Sequence, residues 1–209
     1  MIQIKNITKT FGNRVILKDY SLEIPQNSFT VIAGPSGSGK STLLNIMGLL
    51  DVPDSGDVTL LAQRNLKPFS RSASAMLRKH IGYLFQNFAL VPEKTVEYNL
   101  KIAMEGFKYS KDAMIDALKQ VGLPNILDQY VYQCSGGEQQ RIAIARLLLK
   151  PCDLILADEP TGSLDEANKY LIFDLLKTLQ KLGKTLVIVT HDPDLIAQAD
   201  NVIYLEKLN

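Results

Sequence analysis

Eight residues rich in glycine separate a short β-strand pattern from a helical pattern, and this arrangement restricts the fold more than any other part of the sequence. The strand pattern runs from Phe29 to Ala33, and the helical pattern starts at Ser41. Glycines let successive backbone N–H groups wrap a polyphosphate, Lys40 can neutralise its β and γ oxygens, and the Ser41 hydroxyl can reach Mg²⁺. The order predicts an α/β nucleotide-binding protein. Its candidate nucleotide contacts are Gly34, Pro35, Ser36, Gly37, Ser38, Gly39, Lys40, Ser41 and Thr42.

The rest of the chain extends this α/β pattern. Continuous apolar runs at 154–157 and 185–189 are typical of central parallel strands, because such strands are buried on both faces. Alternating residues at 2–7 predict an antiparallel start, and residues from about 95 to 150 are mostly helical in period. We therefore predict one domain over 1–209, with an α/β catalytic core at 1–86 and 151–209 and a helical subdomain at 87–150.

Two of the predicted central strands end in residues suited to phosphate chemistry. Asp158 and Glu159 follow one strand, where Asp158 can hold Mg²⁺ and Glu159 can orient and deprotonate an attacking water. His191 directly follows the next strand and can reach a γ-phosphate. The alternative interpretations are an acidic pair satisfied by loop N–H groups and an ordinary capping histidine.

A second element suited to phosphate lies far from the first, at residues 134–141, called the signature segment below. Its Ser135-Gly136-Gly137 turn opens a helix, and a helix start directs bare N–H groups at an anion. One nucleotide must therefore use two phosphate-reading elements that are distant along the chain.

Composition excludes several classes of protein. A formal net charge of +1 argues against a nucleic-acid partner. Two cysteines form no disulfide framework and suggest a reducing compartment. The N-terminal residues lack a signal-peptide pattern, and no stretch approaches the ~20 apolar residues that span a bilayer. We expect a cytoplasmic protein whose membrane role, if any, requires a partner.

These motifs together resemble the nucleotide-binding subunit of an ABC transporter over essentially the whole chain. The motifs that occur in the family order are the loop at 34–41, Gln86, 135–139, 154–159, 163–165 and His191. The resemblance implies a P-loop NTPase core, RecA-like and mainly parallel with an antiparallel β subdomain, plus the ABC-specific helical subdomain. Residues 159–165 and 48–51 are similar to the branch that includes lipoprotein-release, macrolide-export and cell-division ATPases. Within this branch, residues 85–90 and the sequence Ser-Gly-Gly-Glu-Gln-Gln at 135–140 resemble bacteriocin-export ATPases.

The resemblance also implies a role for each motif residue. Those expected to act in catalysis are Glu159 as base, His191 as switch, Gln86 and Lys40, while Ser41, Gln86 and Asp158 are expected at Mg²⁺. Ser135, Gly137 and Glu138 are expected to meet the γ-phosphate of ATP. Ser163, Leu164 and Asp165 form the D-loop that links two sites. Phe11 occupies the position of an aromatic that stacks on adenine, with a hydrophobic plug as the alternative interpretation.

Two residues depart from the family signature, Cys134 at its first place and Glu138 at its fifth. Cys134 fits a small apolar pocket, and the alternative is a redox-sensitive thiolate at the helix start. Glu138 suits the positive end of the helix dipole.

A further open point is the stretch 58–92, which has no Asp or Glu but several cations. It is interpreted as a solvated face, or alternatively as a surface facing the membrane or an acidic partner.

The sequence thus predicts an ATPase that uses ATP and Mg²⁺ and powers export through a separate membrane permease. The cargo would be a peptide, bacteriocin, drug or lipoprotein. Two copies are expected to bind ATP head to tail, on the inner face of the cell membrane, with the permease contacting the segment after Gln86 and the helical subdomain. The rival hypothesis is an ATP-driven mechanical regulator whose membrane partner transports no solute.

Overall fold

A computed structural model describes residues 1–104, 106, 110–162 and 164–208. The strands are β1 (Ile2–Phe11), β2 (Arg14–Ile24), β3 (Phe29–Ala33), β4 (Ser55–Leu60), β5 (Gln63–Arg64), β6 (Ile81–Leu84), β7 (Leu154–Asp158), β8 (Thr185–Val189) and β9 (Asn201–Tyr204). The helices are α1 (Lys40–Met47), α2 (Arg71–Lys79), α3 (Val96–Ala103), α4 (Lys111–Gln120), α5 (Gly136–Leu149), α6 (Glu166–Lys181) and α7 (Pro193–Ala197). A 3-10 turn at Val131–Gln133 precedes α5.

The central sheet is parallel, with the strand order β6-β7-β8-β3-β9. All five residues of β3 and of β8 are buried, as their uninterrupted apolar and β-branched sequences predict. Because β6, β7, β8 and β3 are neighbours and run in one direction, their carboxyl ends meet at one edge of the sheet. This is the edge where open α/β sheets bind ligands.

A second sheet is antiparallel, in the order β2-β1-β4-β5. Ile2, Ile4 and Ile7 of β1 are buried, and they join a core that includes Leu43 and Leu44 of α1. This core also contains Leu156 of the parallel sheet, so α1 packs between the two sheets. The phosphate-binding loop at its start is thereby held by both.

The helices between β6 and β7 pack around α5. Residues such as Leu100 of α3, Met114 and Leu118 of α4, and Ile142 of α5 share one buried cluster. That cluster extends to Phe29 and Ile188 of the parallel sheet, so the start of α5 is fixed relative to the strands. No helix among the described residues is long and apolar enough to cross a bilayer.

The structure contains elements that the sequence did not predict, namely β5, α2 and α7. α2 carries cations, and Ser70 caps its first turn by accepting a hydrogen bond from the Ala73 amide. Arg64 on β5 pairs with Asp57 at 2.7 Å, so one cation of the acid-free stretch is balanced by an acid just outside it. The division into a core and a helical subdomain stays a prediction.

Candidate functional site

An open cleft of about 500 Å³ lies at the carboxyl edge of the parallel sheet. It brings together side chains at the ends of β6, β7 and β8 and residues of the phosphate-binding loop, which follows β3. Its lining comprises Gly34, Ser36, Gly37, Gly39, Lys40, Ser41, Thr42, Gln86, Asp158, Glu159, Val189 and His191. Of the predicted loop contacts, Pro35 is exposed beside the cleft and Ser38 is buried beneath it.

Glycines shape the phosphate-binding loop where no other residue fits. Gly34 has φ 143°, and a Cβ there would lie 2.3 Å from the backbone oxygen of Leu205. Gly39 has φ 99° and caps α1, with Ile16 Cγ2 2.8 Å from where its Cβ would be. Lys40 Nζ donates to the carbonyls of Gly34 at 2.8 Å and Pro35 at 2.9 Å, which places its ammonium inside the loop.

Ser41 and Asp158 form an oxygen pair suited to a hard cation. The Ser41 hydroxyl lies 3.4 Å from Asp158 Oδ1. Burial raises the pKa of Asp158 above its ordinary value and the charge of Glu159 adds to this, while the Ser41 hydrogen bond and Lys40 act in the opposite direction. A hydroxyl and a carboxylate are ligands that Mg²⁺ accepts. The donor set therefore fits this cation.

Glu159 is held at the cleft mouth in an uncommon conformation. Its backbone is left-handed, with φ 46°, and its N–H donates to the Val189 carbonyl at 2.8 Å. Its Oε1 lies 2.9 Å from His191 Nδ1, and its Oε2 accepts from the buried Thr190 hydroxyl at 3.2 Å. Left-handed backbone at a non-glycine residue costs about 1–3 kcal/mol and concentrates at functional sites. Thr190 was not identified from the sequence, because it reads as one more β-branched residue after the strand.

Gln86 follows β6, and the segment after it is joined to α5 through an arginine. Phe88 and Ala89 are left-handed, with φ 64° and 48°. Arg146 Nη2 donates to the Phe88 carbonyl at 2.9 Å and Nη1 to the Ala89 carbonyl at 2.6 Å. No pattern in the sequence identifies Arg146, since one arginine on a helix is usually a surface residue.

The signature segment lies outside the lining of this cleft. Ser135 caps α5 by accepting from the Glu138 amide at 3.3 Å, while Glu138 Oε2 accepts from the Ser135 amide at 2.7 Å. This is a capping box. Cys134 is buried, and burial raises the pKa of its thiol, with Glu138 adding to the effect. A raised thiol pKa opposes thiolate formation and favours the packing interpretation.

The D-loop leads into α6. Asp165 caps that helix by accepting from the Asn168 amide at 2.9 Å. Leu164 is partly buried and packs against the cluster around α5. Ser163 lies outside the described residues.

Phe11 also lies outside the cleft lining, at the end of β1. Its side chain is 53% exposed, and Lys9 Nζ lies 5.0 Å from its ring centroid. Phe11 pairs with Arg14 on β2, and Arg14 Nη2 donates to the Gly37 carbonyl at 3.2 Å. The ring is exposed in the single chain, and its stacking on adenine stays a prediction.

Comparisons with known proteins agree with this architecture. The profile of the family described as ABC transporter matches residues 17–162. The lipoprotein-releasing system ATP-binding protein LolD of Bacteroides fragilis is 40% identical over 210 residues, covering 98% of this chain and 97% of LolD. The macrolide export ATP-binding/permease protein MacB of Campylobacter jejuni is 39% identical over 210 residues, covering 99% of this chain. The chain spans 33% of that MacB.

A solved structure resembles the whole chain. It is the dimeric ATP-binding cassette MJ0796 in a post-hydrolysis state, bound to ADP and Pi, with a TM-score of 0.88 and 36% identity. The match covers 100% of this chain and 97% of that one. It confirms the predicted P-loop NTPase fold, and with the family match it confirms the predicted ATPase activity. The chain therefore belongs to the ABC transporter family, as an ATP-binding subunit that hydrolyses ATP with Mg²⁺.

Proposed function

We propose that two copies of the chain bind two Mg·ATP between them, head to tail, and power export through a separate membrane permease. One observation carries this proposal. The cleft contains the phosphate-binding loop, both strand-end carboxylates and His191, but neither Ser135 nor Gly137 lines it. The signature segment of one chain would therefore serve the nucleotide of the other, and closure of the pair would complete each site.

The relatives support both the assembly and the class of cargo. MJ0796 was solved as a dimer, and LolD and MacB are named for lipoprotein release and macrolide export. We infer from these names a lipoprotein or a drug as cargo, and the sequence resemblance to bacteriocin-export ATPases adds a peptide or bacteriocin. The chain would lie at the cytoplasmic face of the membrane through its permease.

Within one chain, the loop residues would bind the phosphates and Phe11 would stack on adenine. Ser41 and Asp158, with Gln86, would hold Mg²⁺. When bound, this cation supplies charge neutralisation at the β and γ oxygens. A bound cation would also oppose the effect of burial and lower the pKa of Asp158, because a nearby positive charge favours the carboxylate.

Hydrolysis would depend on the orientation of Glu159. Its carboxylate would accept a proton from the attacking water as the new O–P bond forms and the bond to ADP breaks. Thr190 holds one carboxylate oxygen and His191 lies against the other, so the carboxylate cannot rotate freely. From the other chain, Ser135, Gly137 and Glu138 would meet the γ-phosphate, and residues 163–165 would link the two sites.

A groove beside Gln86 would receive the permease. It has a volume of about 270 Å³ and is lined by residues of β6, α2, α3 and α5, among them Tyr83, Phe85, Ile102 and Leu147. Arg78 and Lys150 lie at the same groove, so an acidic or carbonyl-rich segment would suit it. Movement there would pass to residues 87–150 as a unit, against the core at 1–86 and 151–209.

Glu159→Gln tests this mechanism. We expect ATP affinity within about twofold of wild type, turnover lowered at least ~100-fold, and a dimer that forms only with ATP, measured by sedimentation. Glu166→Gln removes a carboxylate from the exposed first turn of α6 and serves as the control. A monomeric Glu159→Gln variant with normal turnover would refute both the base and the shared site. ATP-dependent movement of labelled cargo in vesicles containing the permease tests export itself.

A further inference from the structure

Asn168, on the first turn of α6, joins the signature segment to the D-loop within one chain. We propose that Asn168 is a positioning residue that makes these two elements move as one body. Both elements would then contact a partner chain's ATP at a fixed position relative to each other. This inference rests on the proposed shared site. It adds a residue outside every motif identified from the sequence.

The carboxamide of Asn168 is bound on both sides. Its Nδ2 donates to Asp165 Oδ1 at 3.0 Å and Oδ2 at 2.9 Å, and its Oδ1 accepts from Arg141 Nη1 on α5. Chemistry fixes this orientation, since a flipped amide would place its oxygen against a carboxylate and its NH₂ against a guanidinium. Hydrogen bonds from Asn168 also hold the pKa of Asp165 below its ordinary value, so this carboxylate is charged at neutral pH.

Asn168 also packs directly against the signature backbone. A Cβ at Gly137 would lie 2.7 Å from Asn168 Cγ and Oδ1. A side chain at 137 would therefore displace the Asn168 carboxamide from this position. A second tie runs parallel to this one, because the buried Gln140 Nε2 donates to the Pro160 carbonyl at 2.7 Å. The N-terminal half of α5 is thus bonded at two points, from Arg141 to Asn168 on α6 and from Gln140 to Pro160 between β7 and α6.

These contacts have a consequence for the shared site. Ser135 lies two residues before Gly137, and Asp165 is hydrogen-bonded to the same Asn168 side chain. If the carboxamide is removed, only the bond from Gln140 to Pro160 remains, so Asp165 and the signature segment are held less firmly relative to each other when they meet the partner. Nucleotide binding by a single chain should not change, because Asn168 does not line the cleft.

The test uses Asn168→Ala in a Glu159→Gln background, where ATP-dependent dimerisation can be measured without turnover. We expect a dimer weaker by roughly tenfold, with the ADP affinity of the single chain unchanged and the melting temperature lowered by no more than about 2 °C. Alanine favours a helix more than asparagine, so α6 should not unfold. Lys169→Ala, whose side chain bonds Glu166 three residues earlier on the same helix, is the matched control and should leave the dimer unchanged.

Asn168→Asp provides a second variant. It keeps an acceptor for Arg141 but turns a carboxylate toward Asp165, so we expect dimerisation weakened as much as by Asn168→Ala. A dimer as tight as the parent in either variant would overturn the positioning role and leave the shared site intact. If ADP affinity or thermal stability falls as much, in free energy, as dimerisation does, Asn168 only stabilises the fold and the positioning role is overturned. Failure of the Glu159→Gln parent to dimerise would overturn the proposed function and this inference together.

Discussion

Replacing Arg146 by methionine should destabilise the chain, although no motif contains this residue. Its guanidinium lies at the last turn of α5, half buried, and donates to two carbonyls in the segment after Gln86. Burial lowers the pKa of Arg146, but a guanidinium stays charged in any accessible range. Methionine has similar length and no donor, so it removes both bonds while retaining packing.

The expected loss follows from the two contacts. A hydrogen bond to a charged group contributes about 1.5–3 kcal/mol when shielded from water. The bond to Phe88 is partly buried and the bond to Ala89 is exposed, so we take about 2–3 kcal/mol for the pair. For a domain of this size that corresponds to a melting temperature lower by roughly 4–12 °C.

Urea unfolding of the nucleotide-free chain, followed by circular dichroism, measures this loss. Arg78→Met is the matched control, because Arg78 lines the same groove and has no carboxylate within 4 Å among the described residues. We expect its effect to stay within about 0.5 kcal/mol. If Arg146→Met unfolds at the same urea concentration as wild type, the Arg146 bonds do not stabilise the fold and the reasoning fails.

Two further substitutions address the cleft. Gly34→Ala places a Cβ 2.3 Å from the Leu205 backbone oxygen at φ 143°, and backbone cannot move aside as a side chain can, so ATP affinity measured by titration calorimetry should fall at least ~10-fold; normal affinity would contradict the geometry. Asp158→Asn should raise the melting temperature of the nucleotide-free chain at pH 7.5 while lowering Mg²⁺-dependent ATPase at least ~100-fold. The sign follows from the raised pKa of Asp158, because the folded chain binds the carboxyl proton more tightly than the unfolded chain does. The stability of the folded chain therefore falls as pH rises through the pKa of Asp158, and asparagine, which does not titrate, removes this loss of stability. An Asp158→Asn variant less stable than wild type at pH 7.5 would contradict the raised pKa of Asp158.

Much of the fold could be predicted because its signals are local. The buried strands β7 and β8 are continuous apolar runs, and the residues that follow a parallel strand necessarily reach the ligand-binding edge. Elements whose formation depends on tertiary contacts were missed. α2 has a mixed sequence of Arg, Ser and Ala, and β5 is two residues long.

The candidate site was predictable to the same extent. Predicted residues at strand ends and in the glycine loop line one cleft, because the topology of the parallel sheet brings them to the same edge, and their roles stay predictions. Asn168 and Arg146 could not be identified from the sequence, because each acts through a partner that is distant along the chain. Asn168 and Gly137 lie on different helices, and only the packing of α5 against α6 makes them touch. A single sequence contains no pattern that reports such a pair.

Both unpredicted contacts involve α5, and on the proposed mechanism this links the permease to ATP. Arg141, which donates to Asn168, and Arg146 are five residues apart, roughly 7.5 Å along the helix at about 1.5 Å per residue. Through Arg141 and Asn168 the helix is bonded to Asp165 of the D-loop, and in its last turn Arg146 bonds it to the segment after Gln86. A helix with its backbone bonds intact transmits displacement with little bending. On the proposed mechanism, a permease that shifts residues 88–89 therefore shifts the signature segment and the D-loop together, toward or away from the partner's nucleotide.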